Sequence, residues 1–209
     1  MGSEMCIRDS IWSDDIDDNM PGLSAASHVK NVNKEQVIIF DGLTKNWRYP
    51  GWRIAWVLGP KDVIKNLSSA GSFLDGGASR PMQRAAIALL DPKAALDESR
   101  AIRACFKEKR DYAKKKLLRM GVKFDCDSDG TFYLWGNVSD LPGPISTGMS
   151  FFKKALEYKV VCVPGEFFDI NPGKRRPGRQ GAFDRYVRFS FGPKLECINC
   201  LLYTSDAAD

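Results

Sequence analysis

The sequence predicts an α/β chain: a mostly parallel sheet with helices packed on it, followed by a smaller α+β unit. Three observations carry this. Val37-Ile38-Ile39-Phe40 and Arg53-Ile54-Ala55-Trp56-Val57-Leu58 are short apolar runs without polar alternation. Such runs suit strands buried on both faces. The next segment switches to helical spacing, with Val63, Ile64, Leu67, Ala70 and Phe73 spread over residues 61–74. After a long charged stretch and Gly121, the chain breaks into short strand-like segments around one helix.

The elements follow in order. Residues 11–36 are acidic and then basic, and read as a strand end plus a connection. The run 53–58 is closed by Gly59-Pro60, and Gly76-Gly77 interrupts the chain after the first helix. A second helix is expected over 81–91, with Ser79 as its cap and Pro81 early in it. The third helix runs from about Leu96 to Arg119, with Ala101, Ile102, Cys105, Tyr112, Leu117 and Leu118 as its buried stripe. Strands are expected at 122–125, 131–136, 159–163 and 186–191. A helix carrying Phe151, Phe152, Ala155 and Leu156 lies among them. The Gly-, Pro- and Arg-rich stretch 168–183 is expected to be a surface loop.

The two ends are expected to be foreign. Residues 1–10 (MGSEMCIRDS) and 200–209 (CLLYTSDAAD) both read as translated sequencing-library adapter. The natural protein is then 11–199, divided into 11–95 and 96–199. Cys200 leaves the count, which dissolves an apparent Cys197-x-x-Cys200 pair. Cys105, Cys126, Cys162 and Cys197 remain, without metal or redox spacing. Scattered cysteines and no visible signal peptide make a reducing cytoplasm the default. The formal charge of +5 rises once the net-acidic ends are removed, which suits anionic ligands or a solvated surface. No apolar run reaches the ~18–20 residues of a membrane span. The basic cluster Lys174, Arg175, Arg176, Arg179 lacks interleaved aromatics and reads as a solvated loop, not a nucleic-acid motif. His28 is the single histidine, in a polar loop, and is read as structural.

The most specific segment is Asp41 to Pro60, DGLTKNWRYPGWRIAWVLGP. A lysine follows a strand, and PG-x-R opens the next. This resembles the cofactor-lysine signature of class I/II (fold type I) pyridoxal-phosphate-dependent aminotransferases. The resemblance covers residues 11–199. It implies the C-terminal part of the large cofactor domain with a linking helix, then the small domain. It implies that Lys45 bonds covalently to pyridoxal 5'-phosphate and that Arg53 contacts the phosphate. The chemistry agrees. A neutral amine condenses with an aldehyde, and a guanidinium fork suits phosphate. Pro50-Gly51 is expected to give a tight approach, with glycine letting the backbone close to the ligand.

Further positions carry over by resemblance. Asp14, in Ile11-Trp12-Ser13-Asp14-Asp15-Ile16-Asp17, matches the carboxylate that keeps the cofactor's ring nitrogen protonated. The family's tyrosine falls on Asp17, a departure to which no role is given. The family's frequent hydroxyl three residues before the lysine is Gly42 here, with Thr44 the nearest hydroxyl. Arg188 in YVRFSFG matches the arginine that grips the substrate α-carboxylate, with Arg185 as its competitor. Gly130-Thr131-Phe132-Tyr133-Leu134-Trp135 and Val161-Cys162-Val163-Pro164-Gly165-Glu166-Phe167-Phe168 resemble two further family segments, whose aromatics are read as core or cleft wall. The implied activity is amino-group transfer between an amino acid and a 2-oxo acid, in a longer chain that is a homodimer. A lyase or synthase on the same fold and an aminotransferase-like sensor domain of a transcription regulator are the alternatives. The metal expectation is none.

Overall fold

The computed structural model describes residues 24–127, 130–170 and 181–198. The chain divides into two compact units, Met1–Ala104 and Cys105–Asp209. Strands β1 (Ile39–Gly42) and β2 (Ala55–Leu58) lie in the first, followed by helices α1 (Lys61–Leu74) and α2 (Arg80–Leu89). Helix α3 (Pro92–Arg119) runs across the boundary. The second unit holds β3 (Tyr133–Asn137), α4 (Gly148–Glu157), β4 (Val163–Pro164) and β5 (Tyr186–Ser190).

In the first unit β1 and β2 pair antiparallel, in register from Ile39 opposite Leu58 to Gly42 opposite Ala55. The sequence suggests that both runs belong to a mostly parallel sheet and leaves their mutual pairing open. The antiparallel pairing has a simple cause. A parallel pair needs a crossover, usually a helix, and residues 43–54 hold only turns and one 3-10 turn. Among the described residues every strand pair is antiparallel.

Helix α1 occupies the span predicted for it. Its N-cap, Pro60, makes no side-chain cap hydrogen bond, and Asn33 Oδ1 instead accepts the Lys61 N–H at 3.0 Å. Val63 and Ile64 of its apolar stripe are half-buried, whereas the C-terminal end is open: Phe73 is 91% exposed and its neighbour Leu74 79%. Helix α2 sets Met82, Ala86 and Leu89 at helical spacing against Leu43, Ile54 and three tryptophans, Trp47, Trp52 and Trp56. This cluster is the core of the first unit.

Along α3 the buried stripe is Ile102, Phe106, Arg110, Ala113 and Leu117. Two expected members, Ile102 and Leu117, belong to it, whereas Ala101, Cys105 and Leu118 are exposed. The stripe recurs every three or four residues and passes over Arg110, which a search for apolar letters skips. Arg110 meets Asp111 at 2.8 Å.

The second unit is a three-stranded sheet in the order β3-β5-β4. Leu134, Gly136 and Val187 are buried on one face, with Phe189 partly buried beside them. The strand expected at 122–125 is a single bridge, Lys123 opposite Asn137. Helix α4 begins with a capping box in which Thr147 and Ser150 satisfy each other's backbone N–H. Gly148 N–H then donates to Asp184 O at 2.7 Å.

Two glycines let backbones meet in this unit. A Cβ on Gly148 would lie 2.4 Å from Tyr186 O, and one on Gly165 would lie 2.3 Å from Phe183 O. Both obstacles are main chain, so neither can swing aside. Gly165→Ala is therefore expected to destabilise the second unit by about 1–3 kcal/mol, as overpacking does, read as a lower denaturant midpoint.

Cys162 is 6% exposed. Burial pushes its thiol up from 9.0 to about 11. The folded state therefore holds this proton after the unfolded chain has lost it. The contribution is complete below pH 9.0 and falls as pH rises toward about 11. Cys162→Ala should remove that part of the alkaline slope in denaturant midpoints. Native-state alkylation should label Cys105, Cys126 and Cys197, which are exposed, well before Cys162.

Candidate active site

Residues 43–54, which join β1 to β2, carry two of the predicted site residues. The connection is tied at both ends. Leu43 N–H donates to Ile54 O at 3.0 Å, and Tyr49 N–H donates to Leu43 O at 2.9 Å. Lys45 lies in the turn and is half-buried. Its carbonyl accepts the Arg48 N–H at 3.2 Å. Arg53 is exposed, two residues before β2, and its Nη1 donates to Pro50 O at 3.1 Å.

Two arginines on this connection have left-handed backbone, Arg48 at φ 58° and Arg53 at φ 55°. Residues with a Cβ rarely adopt that conformation, and they do so where surrounding structure imposes it. Gly42, at the start of the connection, marks a close crossing of the two strands. A Cβ there would lie 2.6 Å from Ile54 O, so the strand crosses its partner at glycine distance. The sequence predicts that Pro50-Gly51 lets the backbone lie close to a ligand. Those residues form a 3-10 turn, and the space beside Gly51 is open.

One structural role has no signal in the sequence. Trp47, two residues after Lys45, donates its indole N–H to Leu89 O at 2.9 Å. Its ring meets Trp56 edge-on at 6.1 Å. The lysine turn is thereby tied to the end of α2 and to β2. Tyr49 stacks on Trp52 at 4.9 Å, and Arg48 pairs with Glu98.

Arg188 is on the central strand of the other unit's sheet, opposite Trp135 on one side and Val163 on the other. Its guanidinium carbon lies 4.0 Å from the Tyr133 ring centre and 4.5 Å from that of Phe168. Its Nε is buried and has no hydrogen-bond partner among the described residues. Arg185, the competing candidate, is exposed just before the strand. Trp135 extends the aromatic group, stacking on Tyr186 at 5.5 Å and meeting Phe168 and Phe183 edge-on. Asp125 accepts the hydrogen bond of the Tyr186 phenol and so raises its pKa above the ordinary range.

Asp14 and Asp17 lie outside the described residues, as does the Lys174–Arg179 cluster. Thr44 is half-buried beside Lys45, and His28 is exposed in a 3-10 turn. Among the described residues no group of three or more His, Cys, Asp or Glu could hold a metal. No described helix is long and apolar enough to cross a membrane.

The family model described as aminotransferase class I and II matches residues 9–193. A probable N-acetyl-LL-diaminopimelate aminotransferase of Bacillus subtilis is 26% identical over 92% of this chain and 44% of its own length. An LL-diaminopimelate aminotransferase of Moorella thermoacetica is 33% identical over 63% of this chain and 32% of its own. Among solved structures, an aromatic aminotransferase from Pyrococcus horikoshii superposes with a TM-score of 0.74. It is 24% identical, covering 94% of this chain and 48% of that one. The aspartate aminotransferase from Thermus thermophilus with maleate gives 0.67 at 26% identity, covering 79% and 39%. The chain thus spans less than half the length of the curated relatives it matches. The fold is that of the fold type I aminotransferases, whose class I and II members are pyridoxal phosphate enzymes. With the family model matched over residues 9–193, this chain belongs to the class I and II aminotransferases.

Proposed function

We propose that this chain is part of a longer enzyme that transfers an amino group between an amino acid and a 2-oxo acid, using pyridoxal 5'-phosphate. The observation that carries the reading is the turn 43–54. It presents an amine and a guanidinium from one tied connection. That donor set fits the aldehyde and the phosphate of this cofactor. Family membership supports the same assignment.

Bound pyridoxal phosphate supplies an electron sink for the charge left when a substrate loses its Cα proton. The chain's residues do the rest. Lys45 Nζ would hold the cofactor covalently, and the same amine, when free, would take the substrate's Cα proton as general base. Arg53 meets the phosphate through its fork of N–H donors. Asp14 keeps the ring nitrogen protonated. Arg188 binds the substrate carboxylate, and its buried Nε supports that role, because a buried donor without a partner favours arrival of an acceptor.

The full-length protein is read as a homodimer of the cytoplasm that acts on small amino and oxo acids. The free cysteines among the described residues support a reducing compartment. The exposed Leu67, Phe73 and Leu74 of α1 support a larger folding unit than this chain, because large apolar side chains left open on one helix suit a covering surface. The test is a paired assay of the full-length protein. Production of a new amino acid from an added 2-oxo acid supports the proposal. Release of ammonia or a β-substituent without amino transfer would assign other chemistry to the same fold.

A further inference from the structure

We propose that Tyr133 and Phe168 are positioning residues that clamp the Arg188 guanidinium flat, so that only its edge can meet a carboxylate. The inference rests on Arg188 being the carboxylate-binding residue. It goes further by assigning a task to two rings that the sequence suggests are wall or core.

The geometry comes from the sheet. Tyr133 pairs with Ser190, and Arg188 pairs with Trp135. Side chains two apart on a strand share a face, and diagonal neighbours across strands reach each other. Tyr133, Trp135 and Arg188 therefore stand together on the face opposite buried Leu134 and Val187. Phe168 arrives from elsewhere, at the end of the 3-10 turn Gly165–Phe168 that follows β4. That turn is pinned at Gly165, where a Cβ would strike Phe183 O and Tyr186, and Phe168 is braced edge-on by Trp135 at 5.6 Å.

A guanidinium is planar and weakly hydrated on its faces, so aromatic rings hold it there. Its N–H donors all point outward in the plane. With rings 4.0 and 4.5 Å from the central carbon, the remaining approach is along the edge. That is the approach of a bidentate carboxylate. A flexible arginine must lose rotamer freedom when it binds, and a clamped one has lost it already. The clamp is thus expected to act on substrate binding and to leave proton transfer at Lys45 largely alone.

The experiment uses the full-length enzyme and whichever of L-alanine, L-aspartate and L-tyrosine it turns over best. Phe168→Leu and Tyr133→Leu should each raise KM about 5- to 30-fold, the range set by partly desolvated cation–ring contacts. The saturated rate should be largely kept. Tyr133→Phe, which keeps the ring, should restore the parent KM. A second readout needs no turnover. The Arg188 Nε–H nuclear resonance should be shifted by ring currents in the parent and move back toward its ordinary position in each Leu variant. If Tyr133→Leu fails to fold, Phe168→Leu decides, because Phe168 is a solvent-exposed turn residue. Parent-like KM in the Leu variants, with KM raised in Arg188→Met, overturns the clamp and leaves the role of Arg188 standing. Unchanged KM in Arg188→Met overturns both.

Discussion

Lys45→Ala in the full-length enzyme is expected to abolish amino transfer, lowering the turnover rate at least about 1,000-fold. A positioned general base alone contributes about 10²–10⁴-fold, and here the same amine also holds the cofactor. The variant should lose the near-visible absorbance band that the parent develops with pyridoxal phosphate. Its melting temperature should stay close to that of the parent measured without cofactor. Lys45 is half-buried in a turn whose backbone ties run through Leu43, Tyr49 and Ile54. Those ties survive loss of the side chain. A variant that keeps the band would place the covalent link on another lysine.

Arg188→Met is the second large effect. Removing one partner of a desolvated, hydrogen-bonded charge pair costs about 2–5 kcal/mol. That corresponds to a fall in kcat/KM of about 30- to 5,000-fold. Most of the loss should lie in KM, since the carboxylate is held before and during proton removal. Methionine keeps bulk between the Tyr133 and Phe168 rings, so the sheet should stay folded. Arg185→Met should change kcat/KM little, because Arg185 is exposed before β5. The reverse ranking would move the carboxylate role from Arg188 to Arg185.

Much of this fold is legible in the sequence where periodicity is strong. The apolar spacing of residues 61–74 and the charged run ending at Arg119 both become helices at or near the expected bounds. Reading is poorer where a single residue decides. The stripe of α3 passes through Arg110, and Phe106 replaces Cys105, because the helical angle and not the letter selects the buried face. The pairing of β1 with β2 is set by the non-helical connection 43–54, which apolar runs alone do not reveal.

The candidate site divides in the same way. Lys45, Arg53 and Arg188 stand out because their surrounding segments are specific. The environment of each needs coordinates. Nothing in the sequence ties Trp47 to Leu89 O across 42 positions. Nothing in it brings Tyr133 and Phe168 to one guanidinium, since residues 133, 168 and 188 meet only through strand register and a packed turn. The left-handed backbone at Arg53 and the close crossing at Gly42 are likewise seen only in the folded chain.

Borohydride reduction of the full-length protein loaded with pyridoxal phosphate, followed by peptide mass mapping, locates the covalent link. One phosphopyridoxyl adduct is expected, on the peptide containing Lys45. An adduct confined to any other lysine, or none at all, would rule out Lys45 as the cofactor's anchor.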